Sequence, residues 1–159
     1  MPKLAPKTPA PAKQLAVNLI ALRSTGNWST RALAEQAQVD RRTIQHLENG
    51  HGNVSLRTID KLARALGVQT GSLFGKTPFP RNEGDRLIEA VLAQNLVQAR
   101  TVLRLTQESL GAQSGVSMYV IAHIERRSRN PTLQTLEKLS VPLGLTLETL
   151  LTEPHNPLM

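Results

Sequence analysis

A chain of 159 residues with 40% hydrophobic content can bury the core of one ordinary domain or two small ones, which excludes a disordered polyelectrolyte. Its 19 Lys and Arg against 12 Asp and Glu leave +7, and no acidic block compensates, so a polyanion is the first partner to consider. The absence of cysteine excludes a disulfide framework and any thiolate metal site and fits a reducing, cytoplasmic setting, while no stretch approaches the roughly 20 apolar residues of a membrane span.

Residues 1–11 carry Pro2, Pro6, Pro9 and Pro11 with Lys3 and Lys7, a composition that predicts a flexible, extended basic arm and interrupts any signal-peptide core. Beyond it, Leu, Ala, Gln and Arg recur at helical spacing and β-branched alternation is nearly absent, so the chain reads as all-α. Five helices are expected at roughly 12–24, 30–37, 41–49, 55–66 and 70–74. The segment from Gly75 to Gly84 holds Pro78 and Pro80 and reads as a linker over 76–84. Five more helices are expected at roughly 85–103, 107–114, 118–126, 132–141 and 147–152, which gives domains over 12–75 and 85–153 and a tail over 154–159. Ser29, Asp40 and Ser55, and then Thr106, Ser117 and Thr132, can each accept from the orphan N–H groups of a first helical turn. Gly50 and Gly67 suit left-handed helix ends.

The second set of helices repeats the first. Laid at a constant offset of 77 without a gap, Leu15–Phe74 and Leu92–Leu151 share 19 identities in 60 positions. The pairs include Asn18/Asn95, Arg23/Arg100, Leu33/Leu110, Ile44/Ile121, His46/His123, Glu48/Glu125 and Gly67/Gly144. Chance matching between amphipathic helices would need gaps and would not hold a His and a Glu in register. Within each copy two short helices carry their apolar residues where a steep crossing would bury them: Leu33, Ala34, Ala37, Val39, Ile44 and Leu47, and then Leu110, Gly111, Val116, Ile121 and Ile124. This is the plan of a helix-turn-helix, whose second helix is offered to the DNA major groove.

The ordered series Leu47-Glu-Asn-Gly50, Ser55-Leu-Arg-Thr-Ile-Asp-Lys-Leu-Ala-Arg-Ala-Leu-Gly67, Leu105-Thr-Gln-Glu-Ser-Leu110, Ile124-Glu-Arg126 and Arg129-Asn-Pro-Thr-Leu133 resembles the XRE family, the Cro and C1 phage-repressor type of helix-turn-helix, met twice in one chain. The resemblance implies two tandem five-helix lambda-repressor-like domains that bind double-stranded DNA, in a bacterial or phage protein associated with the nucleoid. It also implies two structural ion pairs, Arg23 with Glu48 and Arg100 with Glu125, tying the first helix of each copy to its third.

If Ile44 and Leu47 face the core, Arg41, Arg42, Gln45, His46 and Asn49 point outward. Arg matches the O6 and N7 edge of guanine, which makes Arg41 and Arg42 the leading base readers, with Gln45 and His46 beside them. A solvated charged face is the competing reading. Copy two places Met118, Tyr119, Ala122, His123 and Arg126 on the corresponding face, where Met118 can meet a thymine methyl or pack in the core. No second ligand stands at helical spacing from His46 or His123, so groove contact is expected there and no metal or cofactor.

Phosphate contacts, by resemblance, fall to Thr30 and Gln107 at the second helices and to Asn49, Asn53, Arg126, Arg129 and Asn130 in the loops after the third. Copy two departs from the pattern at Arg127, where Gly is expected, and at Pro142, which should shorten or kink its fourth helix. Residues 15–74 carry +3 and residues 85–152 only +1. Copy one is thus the better DNA binder on sequence, and copy two binds weakly, reads another half-site or serves dimerisation.

The expected function is sequence-specific transcriptional regulation, most simply repression, by a homodimer or by one chain acting as a pseudo-dimer across successive grooves about 34 Å apart. The alternative is a protein-interaction module, an antitoxin or antiactivator, in which copy two grips a protein partner. No catalytic residue is expected: there is no Cys, no cluster of His with carboxylates and no Gly-rich phosphate loop.

Overall fold

The expected starts become helices because a side-chain acceptor stands at each. In the computed structural model, which describes residues 10–81 and 86–154, Ser29 accepts from Ala32 N, Asp40 from Arg42 N and Ser55 from Thr58 N. Thr106, Ser117 and Thr132 do the same for the second copy. The helices of copy one are α1 (Pro11–Thr25), α2 (Thr30–Ala37), α3 (Arg41–Glu48) and α4 (Leu56–Ala65), followed by a 3-10 turn, Gly71–Phe74. Copy two has α5 (Ile88–Val102), α6 (Gln107–Ser114), α7 (Met118–Glu125), α8 (Leu133–Leu143) and α9 (Leu147–Leu151). No strand occurs among the described residues. Most of the expected arm, the last third of the linker and most of the tail lie outside them.

Two of these elements differ from expectation. The fifth helix of copy one is a 3-10 turn, whereas its counterpart α9 is α-helical, although Asn18 Nδ2 donates to Leu73 O at 2.7 Å and to Gly75 O at 2.9 Å just as Asn95 does in copy two. Pro142 does not shorten its helix: α8 has 11 residues against 10 in α4. Proline stands in the last turn, where it removes only one bond of the ladder, and left-handed Gly144 at φ 64° closes the end with Leu145 N donating to Ser140 O at 3.1 Å.

Each core is the same set of residues twice. Leu15, Leu19, Leu33, Ile44, Leu56, Ile59, Leu62 and Leu73 are fully buried, and their counterparts at the offset of 77, Leu92, Leu96, Leu110, Ile121, Leu133, Leu136, Leu139 and Leu150, are at most 2% exposed. Truncating any one of them to Ala removes about 2–5 kcal/mol of stability. Asn18 and Asn95 explain their place in the repeat. Asn95 Nδ2 donates to Leu150 O at 2.9 Å and Thr152 O at 2.8 Å, the same carbonyls one repeat later.

The copies are joined by more than the linker. Gln69 N donates to Phe79 O and Arg81 N to Gly67 O, both at 2.9 Å, so the connection runs back along copy one. Asp60, buried, holds Arg64 at 2.7 Å and Arg81 at 3.2 Å and accepts from Thr70 at 2.6 Å.

Copy one then meets copy two reciprocally. Leu56 N donates to Pro131 O and Leu133 N to Val54 O, each at 2.8 Å, around an antiparallel bridge between Ser55 and Thr132. Arg57 N donates to Asn130 Oδ1 at 3.1 Å and Gln134 N to Asn53 Oδ1 at 2.9 Å. Every one of these bonds maps onto its partner under the offset of 77. The copies are therefore paired as the two halves of a two-fold dimer are.

Candidate nucleic-acid interface

The face of α3 follows from its two anchors. Ile44 is 0% and Leu47 is 3% exposed, Thr43 and Glu48 are half-buried, and Arg41, Arg42, Gln45 and His46 are turned to solvent. Neither Arg41 nor Arg42 makes a side-chain hydrogen bond or ion pair among the described residues. Asp40, beside them, is occupied as the cap of α3 through Arg42 N at 2.7 Å. Two exposed, unpaired guanidinium groups thus stand together at the N-terminal end of a helix whose inner side is locked.

The lock has a second part. Arg23 reaches from α1 to Glu48 at the end of α3 with two bonds, Nε to Oε1 at 2.6 Å and Nη2 to Oε2 at 3.1 Å, and its Nη1 donates to Trp28 O at 3.0 Å. Arg100 makes the same three contacts in copy two, to Glu125 at 2.8 and 3.1 Å and to Leu105 O at 2.9 Å. Side-chain exposures of 21% and 12% in the first pair and 18% and 8% in the second put both pairs mostly out of solvent. The hydrogen bond that Arg23 donates to Glu48 holds the guanidinium above its ordinary pKa against a smaller opposing effect of burial. Planar guanidinium against carboxylate fixes the rotation of the third helix as well as its position.

Copy two presents another surface. Met118 is 41% and Tyr119 is 69% exposed, so Met118 lies outside the core, and His123 is exposed with Nδ1 2.9 Å from Ser128 Oγ. Gln107 Nε2 donates to Glu125 Oε2 at 2.7 Å, extending the Arg100 network to the start of α6 and leaving its second amide hydrogen without a partner among the described residues. Thr30, its counterpart, makes no such bond and is half-buried.

Asn49, Arg126 and Arg129 are exposed. Asn53 and Asn130 are engaged through their side-chain oxygens, each of which caps the fourth helix of the other copy, while their Nδ2 groups make no bond among the described residues. Sequence reasoning missed this use because an Asn in a loop gives no sign of a partner 77 residues away. Asn18 and Asn95 were visible as repeat identities, yet only the carbonyls they bind reveal their role. Among the described residues no three His, Cys, Asp or Glu groups converge on a metal position, and no helix is long and apolar enough to cross a membrane.

Arg127 adopts φ 60° where Gly50 has φ 74° in the same turn after the third helix. The turn itself is kept, with Ser128 N on His123 O and His51 N on His46 O, each at 2.9 Å. The departure is thus accommodated at a local conformational penalty on the order of 1 kcal/mol.

The family model described as helix-turn-helix matches the chain twice, at residues 19–73 and 96–150, which is more than half of it. The chain belongs to the helix-turn-helix family. Both copies are of its XRE type, a family of DNA-binding transcription regulators. This helix-turn-helix chain is 42% identical over 60 residues to an uncharacterised HTH-type transcriptional regulator of Haemophilus influenzae, a match covering 38% of the chain and 61% of that relative. It is 38% identical over 65 residues to the control protein C.SmaI of Serratia marcescens, covering 41% of the chain and 77% of that protein. A solved hypothetical transcription factor from Neisseria covers 50% of the chain and 92% of its own length, with 31% identity and a TM-score of 0.44.

Proposed function

We propose that this helix-turn-helix chain is a sequence-specific repressor of transcription that binds duplex DNA as one pseudo-dimeric chain, with α3 as its principal reader. The observation that carries the reading is the pair Arg41 and Arg42, exposed and unpaired on a helix held by Ile44, Leu47 and the Arg23–Glu48 pair. Bidentate donors so placed match the guanine edge in the major groove, with Gln45 and His46 one turn along. Phosphates are taken by the starts of α2 and α6, at Thr30 and Gln107, and by Asn49, Arg126 and Arg129. The α7 face of Met118, Tyr119 and His123 reads a different half-site, so the operator is asymmetric. Repression then needs only occupancy of the site against polymerase, in the bacterial cytoplasm where the DNA is.

The exposed Met118 and Tyr119 favour one second reading, in which α7 grips a protein partner as an antitoxin or antiactivator does. In-vitro selection of bound DNA, run on the chain and on Arg41→Ala/Arg42→Ala, separates the two. The repressor reading predicts a selected sequence that the double variant no longer prefers. Unchanged preference in the variant, or no preference in the parent, contradicts it.

A further inference from the structure

The surfaces through which the copies meet map onto each other under the repeat, and along most of their length the equivalents are alike: Asn53 and Asn130, Ser55 and Thr132, Leu56 and Leu133. At the far end they are opposites. Gly71 stands where copy two has Glu148, and Gly75 where it has Thr152. These unlike residues interlock. A methyl group on Gly71 would collide with Thr152 Oγ1 and come within 2.8 Å of Glu148 O and Leu151 C, and one on Gly75 would fall on the Glu148 carboxylate. Neither glycine has a positive φ, so packing against copy two is what favours them: at Gly71 the neighbours include backbone atoms that cannot yield, and at Gly75 they are the Glu148 carboxylate, which would have to swing aside. The salt bridge from Arg57 to Glu89 at 2.7 Å is one-sided too, since the equivalent positions are Gln134 and Ala12.

We propose that this interface is heterotypic: copy one accepts copy two and copy two cannot accept a second copy two, so the chain closes on itself as a monomer. Two copy-two faces would bring Glu148 against Glu148 at a point where the backbones leave no room for a Cβ, and would oppose like charges. Two copy-one faces would leave Gly71 facing Gly71 across an empty contact, with Arg57 opposite Ala12. Only the unlike pair fills the space and completes the salt bridge. Covalent linkage adds a high effective concentration for that pair. The inference concerns pairing alone and stands whatever the paired chain binds.

A cysteine-free chain makes the test direct. Ser55 and Thr132 form an antiparallel pair without mutual hydrogen bonds, whose Cα atoms typically lie about 4.5 Å apart, within the range a disulfide spans. The full chain with Ser55→Cys/Thr132→Cys should therefore oxidise to a disulfide at monomer mass. Both residues cap helices, and that loss is common to every variant compared.

Adding Gly71→Glu/Gly75→Thr should reduce the disulfide yield at least tenfold while circular dichroism keeps its helical signal. Exchanging both faces, Gly71→Glu/Gly75→Thr/Glu148→Gly/Thr152→Gly, should restore the yield, because the interlock is rebuilt in mirror order. Disulfides at dimer mass in the parent, full yield in the half-exchanged chain, or no recovery in the full exchange would each overturn the proposal.

Discussion

Arg23 and Arg100 show how far one side chain is committed in this molecule. Each satisfies a carboxylate with two bonds and a carbonyl with a third, and each partner carboxylate is nearly out of solvent. Arg23→Ala strands Glu48 and the Trp28 carbonyl and should cost about 2–4 kcal/mol in urea unfolding. A loss below about 0.5 kcal/mol would place the pair among ordinary surface salt bridges.

Glu137 poses the opposite problem. It occupies the position of Asp60, yet Val141 and Leu147 replace the Arg64 and Thr70 that serve Asp60, and it has no ion pair among the described residues. Burial raises its pKa. A folded value above the unfolded one means that the ionised carboxylate opposes folding. The penalty is absent below about pH 4.3 and develops as the pH rises through the folded value. Glu137→Gln should therefore raise the unfolding midpoint at pH 7 and leave it nearly unchanged at pH 4, and an equal gain at both would contradict the assignment.

At the scale of the element, turn chemistry distinguishes the copies. Gln38 ends α2 at φ 54° where copy two has Gly115 at φ 72°, and Arg127 ends α7 at φ 60° where copy one has Gly50. Each copy thus carries one strained turn that the other has relieved. Gln38→Gly and Arg127→Gly should each stabilise the chain by about 0.5–1 kcal/mol in thermal unfolding, since the relief of the left-handed penalty exceeds the entropy that glycine adds.

The caps, the apolar spacing and the Arg–Glu pairs were legible in the sequence because they act within one copy, over distances that periodicity and a gapless repeat can report. The 3-10 turn was not, since the repeat gives both copies the same Asn contact to the fifth element and yet the two elements differ in helix type. Nor was the full length of α8, because a proline in a last turn and one in mid-helix differ only by where the helix happens to stop. On α3 the outward face was readable from Ile44 and Leu47, and with it comes a site-level prediction. Arg41→Ala or Arg42→Ala should each weaken binding to the selected DNA by about 1–3 kcal/mol, and Tyr119→Ala by less, in a titration at fixed salt.

Across the whole molecule, the pairing of the copies decides what the sites can do. The loop Asn residues that resemblance assigns to phosphate also cap the partner copy's helix through their oxygens, and the choice between homodimer and pseudo-dimer turns on Gly71 and Glu148, positions that no motif marks. A chain closed on itself carries its two unlike reading helices in one fixed relation. On the proposed reading, one protein molecule then covers one asymmetric site whose stronger half belongs to copy one.

The central claim is most directly tested by sedimentation of the complex with the selected operator, read together with a hydroxyl-radical footprint. One chain per duplex is expected, with two protected groove segments of unequal strength, of which Arg41→Ala/Arg42→Ala erases the stronger. Two chains on an inverted repeat with equal protection of both halves would contradict it.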